Sequence, residues 1–318
     1  MLTFAQDTFT VFYQEKDFAT GNKVKVLTPK INNFNFNIAT FIVSSINYAI
    51  QKLTWGTNSD VKMIENIKFY LPLNVHNDID FQFIELLMSQ LTRERISELE
   101  SYLKVSGLKN YTLTEAEKKF INYKSSNDIT TLLNNKLLSV KWNKYKIDDI
   151  FKKITTKKLP YKAKKLPCEP TGKYVLPCLT SSFINQGLNY YVPVNGATIL
   201  KNVISIPSNS DVYRAYFQSN DFTVLSDAYA ICWKDKEQTI TENAYLFMTQ
   251  CINKVTDLPI YSYKNKLGWN KTKENVIVLP EKDGKIDFDF MDKFILILKK
   301  LIIKDVVEYT SKYLLTKK

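Results

Sequence analysis

The chain has 318 residues and is short of the residue types that most enzyme chemistry depends on. It has one histidine, His76, so no multi-histidine metal site can form, and a Ser-His-Asp triad could run only through that residue. Its eight glycines lie at 21, 56, 107, 172, 187, 196, 268 and 284. No two fall within five positions, which excludes both G-x-x-x-x-G-K-[ST] phosphate loops and G-x-G-x-x-G dinucleotide turns. The four cysteines (168, 178, 232 and 251) form no C-x-x-C and read as scattered thiols of a reducing, cytoplasmic compartment. Residues 1–14 lack a basic start followed by an apolar run, so no secretory signal is expected. No uncharged apolar stretch reaches 18 residues, so neither a membrane span nor a membrane partner is expected.

What is present is globular: 45% hydrophobic, 13% aromatic and 24% charged residues, enough for one to three domains with a sizeable core. The net charge of +12 is unevenly placed. Residues 1–140 hold 15 Lys/Arg against 14 Asp/Glu, and residues 141–318 hold 29 against 18. The segment 141–165 alone carries ten lysines against Asp148 and Asp149. Such a balance suggests an anionic polymer as partner, because neutralised phosphates release counterions. A lysine-rich solvated surface would look the same, and charge alone leaves both open.

The chain also repeats itself. Residues 64–85 (IENIKFYLPLNVHNDIDFQFIE) and 273–292 (KENVIVLPEKDGKIDFDFMD) share a β-prone run, Leu-Pro, a polar loop and Ile-Asp-Phe-x-Phe. Leu71-Pro72 matches Leu279-Pro280, and Ile79-Asp80-Phe81 matches Ile286-Asp287-Phe288. Upstream, Phe12-Tyr13-Gln14 and Asp17-Phe18 match Tyr216-Phe217-Gln218 and Asp221-Phe222. Each copy has an apolar helical segment between these anchors, 37–53 and 242–256, then an aromatic turn, Thr54-Trp55-Gly56 or Tyr261-Ser262-Tyr263-Lys264. Ordered anchors at offsets of 204 to 208 point to duplication. The second copy begins near Trp142, and Met1 falls opposite about Ile204 or Ser205, so the first copy is expected to lack some sixty opening residues.

Short β-prone runs are predicted at Thr8–Tyr13, Val24–Leu27, Ile67–Leu71, Tyr174–Cys178, Tyr190–Val194, Asn202–Ile206, Phe222–Leu225, Ala228–Trp233 and Val276–Leu279. A helix over 81–105 would start at Asp80 and stop at Gly107. Another follows at 114–123, with Thr114 and Glu117 spaced as a capping box. At the chain end Ile295, Leu298, Ile302, Val306, Tyr309 and Tyr313 form one apolar stripe. The expected fold is α+β: two repeated strand-rich domains separated and followed by long helices that pair as an antiparallel coiled coil. Leu91, Leu99, Leu103, Ile295, Leu298, Ile302 and Tyr309 are the candidate pairing or partner-docking residues. Separate docking of each helix on its own domain is the alternative. The expected divisions are 1–80, a spacer at 81–140, 142–287, and a terminal helix at 288–318.

This plan resembles the specificity subunits of Type I restriction–modification systems and their Type IIB relatives. The resemblance rests on Trp142-x-x-Tyr145-Lys146-Ile147-x-Asp149-Ile150-Phe151, Tyr174-Val175, Asn185-Gln186-Gly187-Leu188, Asn202-x-Ile204-Ser205, Tyr216-Phe217-Gln218-x-x-Asp221-Phe222 and Tyr261-Ser262-Tyr263-Lys264. It continues through Leu279-Pro280, Ile286-Asp287-Phe288-x-Phe290-Met291 and the spacer Tyr102-Leu103-x-x-Ser106-Gly107-Leu108-x-x-Tyr111-x-Leu113-Thr114-x-x-Glu117. It covers essentially the whole chain, and departs in the shortened first target-recognition domain and in Asn185-Gln186-Gly187, where Asn-Asn-Gly is more usual. It implies a non-catalytic reader of double-stranded DNA, each domain reading one half of a bipartite site. It also implies that the helices fix the spacing and dock methyltransferase subunits, which bring S-adenosylmethionine and methylate adenine N6, and that a nuclease subunit can join. This chain would carry no cofactor and no metal. A homodimer through the shortened half would let two second domains read a symmetric site. Two other readings stay open: a remnant or decoy that binds the methyltransferase without reading DNA, and a magnesium-dependent nuclease with a diffuse carboxylate site; the one E-x-K near carboxylates, Glu117-Lys118-Lys119, lies on a predicted helix and lacks a partnering Pro-Asp.

Base edges are read by side chains that reach them, while lysines mostly hold phosphates. Candidate contacts in the second copy are Lys157, Lys158, Lys162, Lys164 and Lys165 in the basic run, Gln218, and Lys264 and Lys266 after the aromatic turn. Asn185 and Gln186 could read adenine or simply make the turn. Arg214 could read guanine or pair with Asp211 or another carboxylate. Gln14, Lys16, Asn58 and Lys62 are the positional analogues in the first copy. Phe81, Phe83, Phe288 and Phe290 are expected in the core, and Trp55 and Trp142 in packing.

Overall fold

The computed structural model describes residues 1–53, 61–123 and 128–316. The chain divides into two compact units, Met1–Lys109 with Asp305–Lys318, and Asn110–Lys304. The division at residue 109 falls within the stretch 81–140 expected as a spacer.

In the first unit β1 (Leu2–Ala5), β2 (Thr10–Tyr13) and β3 (Val24–Leu27) make an antiparallel sheet in the order β2-β1-β3. Helix α1 (Phe36–Ile50) begins at Asn35, whose side chain accepts the N–H of Ile38. Isoleucines at 38, 42, 46 and 50 place one apolar face toward Leu2, Phe4, Phe9 and Val11. Each such burial stabilises by about 1.5–3 kcal/mol. After the short α2 (Val61–Glu65), the run Ile67–Leu71 joins no ladder among the described residues, although Phe69 and Leu71 pack against the core. Asp80 accepts the N–H of Phe83 at 2.8 Å and starts α3 (Phe81–Val105), over the bounds the sequence predicts.

The second unit opens with α4 (Glu115–Phe120) and α5 (Ile129–Leu138), the latter unpredicted from sequence. Next come β4 (Trp142–Lys146), α6 (Ile147–Ile150), β5 (Phe151–Lys153), β6 (Tyr174–Leu179), β7 (Leu188–Pro193), β8 (Val203–Pro207), β9 (Tyr216–Gln218), β10 (Thr223–Val224) and β11 (Ala228–Trp233). They are followed by α7 (Glu242–Thr256), α8 (Trp269–Thr272), β12 (Val276–Lys282), β13 (Lys285–Ile286) and α9 (Phe288–Thr316), whose last turns belong to the first unit. Three sheets result: β5-β11-β8-β9, β10-β6-β7 and β13-β12-β4. The main core lies between the four-stranded sheet, α7 and the start of α9, with Phe217 stacked on Tyr245 at 5.4 Å.

The duplication extends to individual hydrogen bonds. Asn47 on α1 accepts the Val11 N–H at 2.7 Å and donates to the Val11 carbonyl at 3.0 Å. Asn253 on α7 does the same to Ala215, at 2.6 and 3.2 Å. Gln14 donates to the Thr3 hydroxyl at 3.2 Å, and Gln218 to that of Ser205 at 3.0 Å. The Pro72 and Pro280 carbonyls accept the N–H groups of Asp80 and Asp287, both at 2.9 Å. Asp287 then caps α9 through Phe290, as Asp80 caps α3. Thr3 pairs with Phe12 and Ser205 with Tyr216, so Met1 aligns with Val203, slightly earlier than the sequence anchors suggest. The cause is a hairpin two residues longer between β8 and β9.

Two expectations are corrected. The stripe expected along α9 is not its buried face. Ile295 is buried in the second unit's core and Leu298 packs against it, while Ile302 and Tyr309 are exposed. The residues buried farther along are Val307 and Thr310. A helix serving two units buries different residues in each, which one periodic stripe cannot describe. On α3, Leu91 and Leu99 are exposed, whereas Leu103 is buried with Ile96 and Ile84. Phe83 is also not core: it is 47% exposed, against 4% for its counterpart Phe290.

Replacing Asn253 with alanine orphans a backbone N–H and a carbonyl, and Asn47→Ala does the same in the first unit. Each is expected to cost about 1–3 kcal/mol in urea unfolding. A loss of only a few tenths would show that the clamp contributes nothing.

Candidate nucleic-acid interface

The basic run of the second unit is held by the apolar residues between its lysines. Leu159, Tyr161, Ala163 and Leu166 pack against Leu176, Cys178 and Val192 of the β10-β6-β7 sheet. Lys157, Lys158, Lys162, Lys164 and Lys165 are all exposed and make no ion pair within 4.0 Å among the described residues. The Lys157 N–H donates to Thr198 at 2.9 Å, and the Tyr191 N–H to Pro167 at 3.0 Å, which ties the run to the sheet along its length. Five unneutralised ammonium groups on one anchored segment suit a polyanion.

The turn joining β6 to β7 is a backbone device. Asn185 (φ 49°) and Gln186 (φ 56°) occupy the left-handed region, as does Gly187 (φ 88°). The Asn185 amide donates to the Leu188 carbonyl at 3.0 Å, and the Gln186 carbonyl accepts from Gln218 at 3.3 Å. Asparagine tolerates this geometry better than most side chains, which favours the turn-making reading of Asn185. The Tyr216 hydroxyl donates to the Phe183 carbonyl at 3.1 Å, so the turn lies beside β9.

A second junction joins the loops 208–214 and 257–266. The Arg214 Nε donates to Asp257 at 2.8 Å, so the alternative of a carboxylate partner holds, with Asp257 and not Asp211. Asp211 instead accepts the Tyr263 N–H at 2.9 Å. Tyr213, almost fully buried, donates to the Ser262 carbonyl at 3.2 Å and meets the Tyr261 ring at 6.1 Å. Lys266 sits over the Tyr263 ring at 4.7 Å, and Lys264 is exposed. The turn, β9 and these two loops thus form one hydrogen-bonded surface. Tyr213 and Asp257 were missed from sequence; an aromatic residue inside an otherwise polar loop was the available signal.

The first-unit candidates are less cohesive. Gln14 is engaged with Thr3, Lys16 and Lys62 are exposed, and Asn58 and Trp55 lie outside the described residues. The Trp142 indole donates to the Leu137 carbonyl at 3.0 Å and its ring stacks on Phe247 at 6.2 Å, which is packing. Glu117, the carboxylate of the considered nuclease motif, completes the capping box with Thr114 and pairs with Lys300 at 2.8 Å. Burial opposes its ionisation, but hydrogen bonds from Lys300 and Thr114 outweigh this and hold it below the usual carboxylate range. Burial pushes the Cys178 thiol up to about 12 and that of Cys251 to about 11, so both are held protonated. No helix among the described residues is long and apolar enough to cross a membrane.

Two copies of one hydrogen-bonded α+β frame, one bearing long cationic loops, define a tandem recognition-domain protein. Residues 2–101 and 139–309 match the family model for the Type I restriction modification DNA specificity domain, and the chain belongs to that family. It is 23% identical over 309 residues to the specificity subunit S.BcgI of a Type II restriction enzyme from Heyndrickxia coagulans, covering 97% of this chain and 80% of that protein. Among solved structures it is similar to the S subunit of a Type-I restriction-modification system from M. genitalium, at 15% identity, TM-score 0.46, and 99% and 79% coverage. The HsdS subunit from Thermoanaerobacter tengcongensis matches at 11% identity, TM-score 0.35, and 86% and 62% coverage.

Gly187→Ala forces a Cβ to within 3.2 Å of the Ser182 carbonyl oxygen at a φ of +88°. The variant is expected to lose about 1–2 kcal/mol in thermal or urea unfolding. A neutral result would show that the turn can relax.

Proposed function

We propose that this chain is the non-catalytic, sequence-reading subunit of a restriction–modification complex. Each unit presents one recognition domain to one half of a bipartite site on double-stranded DNA. Methyltransferase subunits dock on the helical parts and bring S-adenosylmethionine for adenine N6 methylation, and a nuclease subunit can join them. The observation that carries this reading is the repeated frame of Asn47/Asn253, Gln14/Gln218 and Asp80/Asp287, spanned in both halves by the DNA-specificity family model. A frame kept constant while its loops differ suits a reader of two unlike half-sites. The uncompensated lysines at 157, 158, 162, 164 and 165 would hold phosphates, and the 183–187, 208–214 and 257–266 loops would face the bases.

In a host free of other adenine methylation, expressing the cognate methyltransferase with this chain should produce a bipartite modified motif in a genome-wide map. The motif should be absent without the chain. Changing Lys157, Lys158, Lys162 and Lys164 together to alanine should weaken DNA binding across sequences and flatten the log K against log salt slope by about 3–4. The motif should be unchanged. An unaltered salt slope would remove the run from the interface, and no modification with all subunits expressed would favour a decoy.

The spacing of the half-sites would be set by α3 and α9 pairing antiparallel. Ile96 and Leu103 are buried on α3, and Val307 and Thr310 near the end of α9, all within one compact unit. Lys300 bonds the Thr112 carbonyl and Glu117 just beyond α3, so counting onward along α9 and back along α3 brings Val307 toward Leu103. A Leu103→Cys, Val307→Cys double variant should form an intramolecular disulfide on mild oxidation, seen as a faster band on non-reducing gels. Failure to cross-link while other nearby pairs succeed would rule out this register.

A further inference from the structure

The chain has three arginines among its 44 basic residues, Arg93, Arg95 and Arg214, and only Arg214 lies in the second unit. It stands where the loops 208–214 and 257–266 meet, and one clamp fixes the backbone at both ends of its contact with Asp257. Arg214 directly precedes Ala215, whose N–H and carbonyl are held by Asn253. Asp257 ends α7 four residues after Asn253, and its N–H donates to the Asn253 carbonyl at 3.0 Å. On the other side of Arg214, the buried Tyr213 donates its hydroxyl to the Ser262 carbonyl. The guanidinium is thus placed by its own framework before any ligand arrives.

The Asp257 carboxylate accepts from Nε at 2.8 Å, which engages one of the five N–H donors of the guanidinium. The Tyr216 hydroxyl is a weaker neighbour of the same group. The Nη1–Nη2 edge keeps donors for a ligand with two acceptors, and the side chain is 49% exposed. A pair this exposed stabilises the fold little; its effect is to fix the plane of the guanidinium. Two N–H donors in a fixed plane match N7 and O6 on the major-groove edge of guanine. Adenine presents an amino group where guanine has O6, which sets a donor against a donor. A phosphate also accepts two N–H groups, but the Asp257 carboxylate offsets the arginine's charge and repels it.

We propose that Arg214 is a specificity-determining residue that reads a guanine in the half-site of the second unit, with Asp257 as its positioning residue. Pairing with a carboxylate and reading a base are then one device rather than alternatives. Guanine reading by Arg214 rests on the DNA-reading function proposed above. Ala215 and Asn253 correspond to Val11 and Asn47, so the first unit has Thr10 and Gln51 at these two positions. The device belongs to the second unit, and the first must read its half-site with other groups.

The modified motif is mapped genome-wide with the methyltransferase and either the unsubstituted full-length chain or its variants. The affinity of each purified complex is then measured on the mapped duplex, with each guanine in turn replaced by 7-deazaguanine, which lacks the N7 acceptor. The unsubstituted complex is expected to weaken about tenfold at one guanine. Arg214→Lys keeps the charge but not the fork, so it should lose that sensitivity and relax the motif at that base pair alone. Asp257→Ala should relax the same position while binding unrelated DNA as well or better, because a negative charge is gone. A carboxylate that merely held the loops would relax no single position. Asp257→Asn keeps an acceptor for Nε and should restore part of the guanine sensitivity. Arg214 is exposed, so circular dichroism should show its variant folded. The proposal is overturned by a site with no 7-deazaguanine-sensitive guanine, or by an Arg214→Lys chain whose motif and guanine sensitivity are unchanged. Absence of modification with the unsubstituted chain, all subunits expressed, would instead overturn the DNA-reading function, and the guanine assignment with it.

Discussion

The structure depends on one contact made twice: an asparagine on a buried helix that satisfies both backbone groups of one residue beside the sheet's edge strand. Asn47 holds Val11 and Asn253 holds Ala215. The outer N–H and carbonyl of an edge strand must otherwise find water or another chain. A side-chain amide is the one neutral group that donates and accepts in the geometry of a peptide. The contact therefore closes the edge and fixes the height and rotation of the helix on the sheet. The glutamine three residues on, bonded to a hydroxyl on the neighbouring strand, then fixes the register.

With helix and edge strand locked, the intervening loops carry little structural duty, and the two units use this differently. The second stitches its loops 208–214 and 257–266 together through Tyr213, Asp211 and Asp257. The first spans β1 to β2 with a hairpin two residues shorter. Variation confined to loops on a fixed frame is what a protein needs if its two halves are to recognise different sequences by one mode.

The same economy explains the acidic caps. Asp80 and Asp287 each donate their own N–H to a proline carbonyl, and their carboxylates accept an N–H from the first turn of a long helix. The direction of the helix is thereby set by the sheet that precedes it. The Lys300–Glu117 pair, with its carboxyl held ionised, adds an electrostatic tie between α9 and α4 inside the second unit.

Local pattern was legible in the sequence: the bounds of α3 and α7, the strand Ala228–Trp233, the capping box at Thr114 and the duplication itself. These depend on spacings of a few residues or on side chains that act on their own backbone. The α5 helix, the β4 strand and the partner of Arg214 were not legible, because each is decided by residues far along the chain. Ile67–Leu71 shows the limit: its composition is that of a strand, yet a strand needs a neighbour, and none pairs with it among the described residues. Phe83 and Phe290 sit in the same motif, and tertiary structure alone left one exposed and covered the other with Phe120. Sequence determined which elements could form and that they came twice; tertiary structure decided which faces were covered, because burial belongs to what lies opposite a residue rather than to the residue itself.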